Sequence, residues 1–374
     1  MIRMLGASVL ISTGCCAAAA DAIVIGQTAG LTGATAKQMG DFTAGARLLF
    51  DTVNARGGIN GRLIKLVTLD DGYTAAAAEK NAEQLVANPA VVALFGVRGS
   101  DPTRAVIKVV EREKLPLVAP VNGSEAVRDS RWVFPVRASY RTEVDGLLGY
   151  FAAGSQKLVV LAQDDSFGKP LASYIAERVK DAKYKNVTIA DTVVFDRAAK
   201  TFDAEVHKVL AKRPNGVIAL CNPAACAGFL SALEKRTQAS RELRPVVAQL
   251  SVADMAEQFG MVRSAVAGNP FVQVMPPPEN KSLAITRDFS AAAAAAPEKV
   301  NVNYSSIEGW VSAAVLVEGL KRAKALTRQG IKDAMESLGL VNVGGLTVEY
   351  SPAARVGSRY VDLVSLASDG RAIR

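Results

Sequence analysis

The sequence predicts an α/β fold of two lobes, each built on a parallel sheet, with a ligand cleft between them. Three observations carry this reading. The chain has 374 residues, more than the roughly 250 to 300 at which a single hydrophobic core stops growing. Short β-rich runs alternate with segments whose apolar residues recur every three or four positions, the signature of βαβ units and so of parallel strands. The rhythm resets around residues 132–138 and then repeats.

The elements follow in order. A strand is expected over 23–25, and then Met39, Phe42, Ala46, Leu49, Phe50 and Val53 mark one buried helix face, which Gly57 and Gly58 end. Strands over 63–69, 91–96 and 117–119 alternate with helices over 74–87 and 102–114. The second series has helices over 142–153, 169–181, 202–212 and 224–235, with strands over 158–162, 187–194, 216–221 and 246–250. A strand over 272–275 and the Pro276-Pro277-Pro278 break lead to helices near 282–296, 306–323 and 327–338, and two strands over 346–350 and 359–366 close the chain. Ligands of open parallel sheets bind beyond the carboxyl ends of the strands. Two such sheets facing each other make a cleft.

Composition removes several functions. Hydrophobic residues are 49% and charged residues 21%, which is globular rather than disordered. Lys plus Arg exceeds Asp plus Glu, 44 against 36, but both signs are spread along the chain, so no nucleic-acid partner is expected. The single histidine, His207, lies in a polar-looking helix and reads as a surface residue. With it goes most metal, triad and acid-base chemistry. There is no HExxH, GxSxG, phosphate loop or GxGxxG, and Gly26, Gly30 and Gly33 have the wrong spacing for a dinucleotide. No enzyme activity, cofactor or metal is expected.

Residues 1–20 carry Arg3, an apolar stretch over 4–12 and the small residues Ala17 to Ala20, the order of a secretory signal peptide. Cleavage after Ala20 or Ala22 satisfies the small-x-small pattern, and Cys15 after Ser12-Thr13-Gly14 would also admit lipid attachment. The expected location is the periplasm. Export leaves Cys221 and Cys226 in an oxidising compartment. They join a strand end to the first turn of a helix, which allows a disulfide; the other reading is two small buried hydrophobes.

The run from Phe95 to Pro102 reads as a strand, a tight loop, an N-cap and a proline at the first helical position. Free N–H groups and the helix dipole would attract an anion there. Ser100 could also simply cap the helix.

The chain resembles the periplasmic substrate-binding proteins of branched-chain amino acid ABC transporters, which are type I two-lobed binders. The resemblance rests on Gly30-Leu31-Thr32-Gly33, Asn54-Ala55-Arg56-Gly57-Gly58-Ile59-Asn60-Gly61, Leu69-Asp70-Asp71-Gly72-Tyr73, Gln163-Asp164-Asp165-Ser166-Phe167-Gly168 and Ser306-Ile307-Glu308-Gly309-Trp310. It implies two Rossmann-like lobes, 22–137 plus 273–357 and 138–272 plus 358–374, with crossovers near Arg137, Val272 and Gly357. It implies a clamshell that captures a small carboxylate or amino acid and delivers it to an ABC permease. A ligand-sensing module coupled to a membrane receptor is the other reading of the same fold.

The resemblance also implies the site. Gly99 and Ser100 would hold the solute carboxylate, and Asn122 and Gly123 would line the cleft. Phe167 would cover the solute from the second lobe, and Asn222 lies in a loop where another aromatic is usual. Ser251 stands where amino-acid binders supply an acid for the ammonium, with Asp254 the next carboxylate. Arg98 departs from the small residues usual at its position and offers either a ligand charge or a solvated side chain. Tyr73 either closes over the solute or packs its own loop.

Overall fold

The computed structural model describes residues 22–241 and 243–373; the leader read over residues 1–20, with Cys15 and Cys16, lies outside them. The first sheet is laid down by β1 (Ile23–Ala29), α1 (Ala36–Asn54), β2 (Ile64–Asp70), α2 (Ala75–Val86), β3 (Val91–Phe95), α3 (Ser100–Glu113), β4 (Leu117–Val118), α4 (Ala126–Asp129) and β5 (Val133–Phe134). Its strands are parallel in the order β2-β1-β3-β4-β5. Strand β3 is buried along its whole length, which explains its uninterrupted apolar run.

The chain then builds α5 (Tyr140–Phe151), β6 (Gln156–Gln163), α6 (Gly168–Arg178), β7 (Val187–Phe195), α7 (Asp203–Ala211), β8 (Gly216–Leu220), α8 (Pro223–Ser240), β9 (Val246–Gln249), α9 (Met255–Val266) and β10 (Phe271–Gln273). It returns to the first half as α10 (Ala284–Ala295), α11 (Tyr304–Arg322), α12 (Arg328–Glu336) and a small antiparallel sheet, β11 (Gly339–Val343), β12 (Leu346–Tyr350) and β13 (Arg355–Gly357). Strands β14 (Asp362–Leu366) and β15 (Ala372–Ile373) rejoin the second sheet, whose order is β15-β14-β10-β9-β8-β6-β7. β14 runs antiparallel to β10, so this sheet is mixed.

The chain therefore passes between the sheets after β5, after β10 and after β13. The first and third passages are tied together. The Tyr350 hydroxyl donates to the Pro135 carbonyl at 2.7 Å, and the Ser358 N–H donates to the Val136 carbonyl at 2.7 Å. Gly357 has φ +72°, and a Cβ there would stand 2.5 Å from the Pro135 oxygen. Helix α11 packs on α1 with no room to spare: a Cβ on Gly45 or Gly309 would meet the backbone oxygen of Ser306 or Phe42 at 1.8 and 1.9 Å. This is why the glycine of the Glu308-Gly309-Trp310 run stands where it does.

Several expectations change. Helix α9 and strand β11 were not anticipated, and the last long strand begins at Asp362 rather than at Arg359. Ser100 is the first residue of α3, Gly99 is its N-cap, and Pro102 sits at the third helical position instead of the first. Backbone geometry explains the shift: Gly99 has φ +88° and ψ 152°, a conformation essentially reserved for glycine. Cys221 and Cys226 are joined by a disulfide with Cα atoms 5.5 Å apart. Closing a loop of sequence separation 5, it contributes about 2 kcal/mol at most by the chain-entropy estimate. His207 is exposed on α7. No described helix is long and apolar enough to cross a membrane.

Candidate functional site

The sequence motifs first resolve into scaffold. The Asp70 carboxylate accepts from the N–H groups of Leu31, Thr32 and Gly72 at 2.9, 3.2 and 2.9 Å, and from the Thr32 hydroxyl at 2.6 Å. These bonds, the Thr32 hydroxyl above all, hold its pKa below the usual carboxylate range and lock the loop after β1 to the loop after β2. Asp165 accepts from the N–H groups of Phe167 and Gly168 at 3.0 and 2.9 Å, closing the first turn of α6. Asn54 clamps Ile64 through both its N–H and its carbonyl, at 2.8 and 2.9 Å. Each motif shapes a loop at the carboxyl end of a strand.

Among the helices around these loops, α5, α6 and α8 have their first turns closed by side chains of Ser139, Asp165 and Asn222. Helix α3 does not, because its N-cap is Gly99. Its first-turn N–H groups and its dipole are left for another acceptor. A cavity of about 210 Å³ opens at this end of α3. The first half supplies Ser100, Thr103, Ile107 and the Asn122–Gly123 loop, and the second supplies Tyr140, Phe167 and Leu171. Arg104 and Arg141 reach it from opposite halves, against one acid, Glu125. The lining thus carries one formal positive charge in excess.

Local packing fixes the walls. Asn122 is buried, donates to the Gly99 carbonyl at 3.2 Å and accepts from Ser124 N–H at 2.8 Å, so it ties the loop after β4 to the start of α3. Gly123 accepts from Tyr140 N–H at 2.8 Å, and a Cβ there would collide with the Tyr140 ring at 2.6 Å. The Tyr140 and Phe167 rings meet edge to face, 5.0 Å apart. Thr103 is fully buried and its Oγ1 has no hydrogen-bond partner.

A second, polar cavity of about 40 Å³ lies beside the passages between the sheets, lined by Arg98, Arg137, Ser251, Asp254 and Glu308 among others. Arg98 is buried and donates to the Val252 carbonyl at 3.3 Å, across the two halves. Asp254 accepts from Glu257 N–H at 2.9 Å as the cap of α9, and from the Ser305 hydroxyl of the first half at 3.4 Å. Ser251 donates its N–H to Glu143 at 2.8 Å and accepts from Arg137. Glu143 is fully buried, and that burial pushes its pKa up against the pull of Arg137.

The halves are also pinned at the outer edge of the cleft. The Ser166 hydroxyl donates to Asp101 at 2.7 Å, and Arg197 reaches the same carboxylate at 3.4 Å while lying over the Tyr73 ring at 5.6 Å. Gln38 donates to Glu257 at 3.0 Å. The arrangement is a closed one.

The expected residues therefore divide. Ser100, Asn122, Gly123 and Phe167 line the 210 Å³ cavity; Arg98, Ser251 and Asp254 line the smaller one. Gly99 sets the geometry of α3. Tyr73 and Asn222 line neither: Tyr73 packs on Gly99 beneath Arg197, and Asn222 caps α8 while donating to Gln163 at 2.9 Å. Sequence reasoning missed Thr103, Arg104, Glu125, Tyr140 and Arg141. The nearest available signal was helical spacing from Ser100, which puts Thr103, Arg104 and Ile107 on one side of α3.

Comparison with known proteins agrees with the fold. Residues 22–371 match the family model described as periplasmic binding protein. A substrate-binding periplasmic protein from Ralstonia solanacearum is 29% identical, with a TM-score of 0.84 over 94% of this chain and 99% of that one. A fatty acid ABC transporter substrate-binding protein from Thermomonospora curvata, 19% identical with a TM-score of 0.82 over 94% and 91% of the two chains, shares the fold. A protein named amino acid binding protein from Pseudomonas aeruginosa is 27% identical over 198 residues, 50% of this chain; the match spans about half of that relative, 51%.

Proposed function

The chain belongs to the periplasmic binding protein family, and on that premise we propose that it is an extracytoplasmic solute-binding protein that captures a small carboxylate or amino acid between two lobes and delivers it to an ABC permease. The observation that carries the reading is the 210 Å³ cavity, which both halves build beside the start of α3, whose N-cap Gly99 leaves the first turn without a side-chain cap. A solute carboxylate there gains N–H donors, the Ser100 hydroxyl and the excess positive charge of the lining. Ile107, Val127, Phe167 and Leu171 leave the rest of the solute an apolar environment. The volume is below the roughly 300 to 1,000 Å³ of pockets for drug-sized ligands, which favours a small solute.

The lobes in this reading are 22–137 with 273–357 and 138–272 with 358–374, turning about the three passages. Contacts such as Asp101 with Ser166 and Arg98 with Val252 would form on closure, a hinge motion with a ligand in its jaws. Capture and delivery require binding and motion without bond chemistry. Among the described residues no group of three or more His, Cys, Asp or Glu is placed to hold a metal.

A thermal-shift panel of small aliphatic and aromatic carboxylates, amino acids and their esters tests the proposal. A solute at about 100 times its Kd adds about 2.7 kcal/mol to stability, so at least one free acid is expected to raise the midpoint by several degrees while its ester does not. Esters that act as well as acids, or a panel without effect, would count against it.

A further inference from the structure

We propose that closure of the cleft binds a proton: Glu257 of the second half takes it up to complete a two-bond pair with the Gln38 carboxamide of the first half, so that acid pH favours the closed form. The inference rests on the lobe closure proposed above and adds a control on it. Gln38 stands on α1 and is 2% exposed, and Glu257 is half-buried in the first turn of α9. Gln38 Nε2 donates to Glu257 Oε2 at 3.0 Å, whereas Oε1 of the same amide is buried and accepts no hydrogen bond. An ionised carboxylate has only acceptors, so it answers one side of a carboxamide and not the other. A protonated carboxyl has one donor and keeps an acceptor, and its O–H is the donor that Gln38 Oε1 lacks. A buried acceptor left without a donor is costly, and the proton removes that cost.

The surroundings favour the neutral form. Burial pushes the Glu257 carboxyl above the ordinary carboxylate range, and Asp254 at the cap of the same helix pushes it further, against Arg98, Lys37 and the Gln38 bond. Both cations are engaged elsewhere: Arg98 donates to the Val252 carbonyl at 3.3 Å, and Lys37 is paired with Asp41 at 3.2 Å. Arg137, which lines the neighbouring 40 Å³ cavity with Gln38, lies between Glu143 and Glu308 at 3.6 Å from each. Opening the cleft separates Gln38 from Glu257 and returns the carboxyl to water. A carboxyl whose pKa is higher closed than open favours closure fully below the open value, and the effect is lost as pH rises through the closed one. Each unit between the two values shifts the equilibrium between open and closed forms about tenfold.

Carbon-13 NMR and small-angle scattering of the solute-free full chain test this, and neither requires the solute to be known. The Glu257 carboxyl, assigned by the resonance that Glu257→Gln removes, should titrate above the exposed glutamates of the same chain. Glu257→Gln should mimic the protonated form, since its amide both donates and accepts, and so hold the smaller radius of gyration at about pH 7.5 as well as at about pH 5. The parent should show the smaller radius only at the acid value. A Glu257 resonance that titrates with the exposed glutamates, or radii of parent and variant that respond alike to pH, would overturn the proton uptake while leaving carboxylate capture in place. Carboxylate capture fails separately, if no free acid of the panel raises the melting midpoint.

Discussion

Replacing Arg137 by leucine is expected to lower stability by about 3 to 5 kcal/mol at neutral pH, the cost of stripping a buried charge of its partner. Arg137 is 2% exposed and sits where the chain first leaves the first sheet. Its guanidinium lies 3.6 Å from Glu143 of the second half and 3.6 Å from Glu308 of the first, and it donates to Ser251. Without it two carboxylates face each other at the junction with no cation between them. Burial already holds Glu143 above the ordinary carboxylate range, and the loss of Arg137 would raise it further. A carboxyl raised in the folded state binds protons that the unfolded chain does not, so its stabilising share is present at acid pH and disappears as pH rises through its folded pKa. The deficit of Arg137→Leu should accordingly shrink as pH falls from neutrality toward the ordinary carboxylate range. Urea midpoints at two pH values measure this, and Glu143→Gln in the same background should recover part of the loss. A midpoint equal to that of the parent at neutral pH would refute it.

Gly99→Val should weaken carboxylate binding by about 10- to 100-fold, far more than Ser100→Ala. Gly99 holds φ +88° and ψ 152° at the start of α3, where a non-glycine residue costs about 1 to 3 kcal/mol. Its new Cβ would also stand 2.6 Å from the Tyr73 ring, which is itself covered by Arg197 from the other half. Relief requires the loop and the Tyr73 contact to move, and both belong to the closed cleft. Ser100→Ala removes a single hydroxyl, worth about 0.5 to 1.5 kcal/mol, so about threefold to tenfold. Titrating one solute into the parent and both variants gives the ranking. If Gly99→Val bound like the parent, the α3 start would not be the anion seat.

The alternation of strands and helices was legible because each element buries a face and carries its period in the sequence, as in the Met39, Phe42, Ala46, Leu49, Phe50 stripe of α1. Elements without that period were not. Helix α9 is broken at Val262, with φ −142° and ψ 52°, and β11 opens on Gly339 and an exposed Leu340. In the site, residues of strand-end loops such as Asn122 and Phe167 could be placed, since topology brings those loops together. Arg104, Arg141 and Glu125 could not, because a charged residue near a helix start reads the same whether it faces water or a cavity. The cross-cleft pairs were also hidden, for Gln38 and Glu257 are 219 positions apart and Arg98 and Val252 are 154. Asp70, part of a stretch that carries the family resemblance, fastens two loops, a role that its sequence neighbours alone do not reveal.

Filling the cavity tests most directly whether the solute sits between the two halves. Ile107 is half-buried on α3 and lines the 210 Å³ space, so Ile107→Trp extends an indole into it from a position that tolerates bulk better than the core. Calorimetry should be run with the free acid that most raises the melting midpoint, on parent protein and on Ile107→Trp shown to be folded by circular dichroism. The expected result is saturable binding at one site per chain in the parent and none in the variant. Equal affinity in the two proteins would place the solute outside this cavity and contradict the assignment of the site.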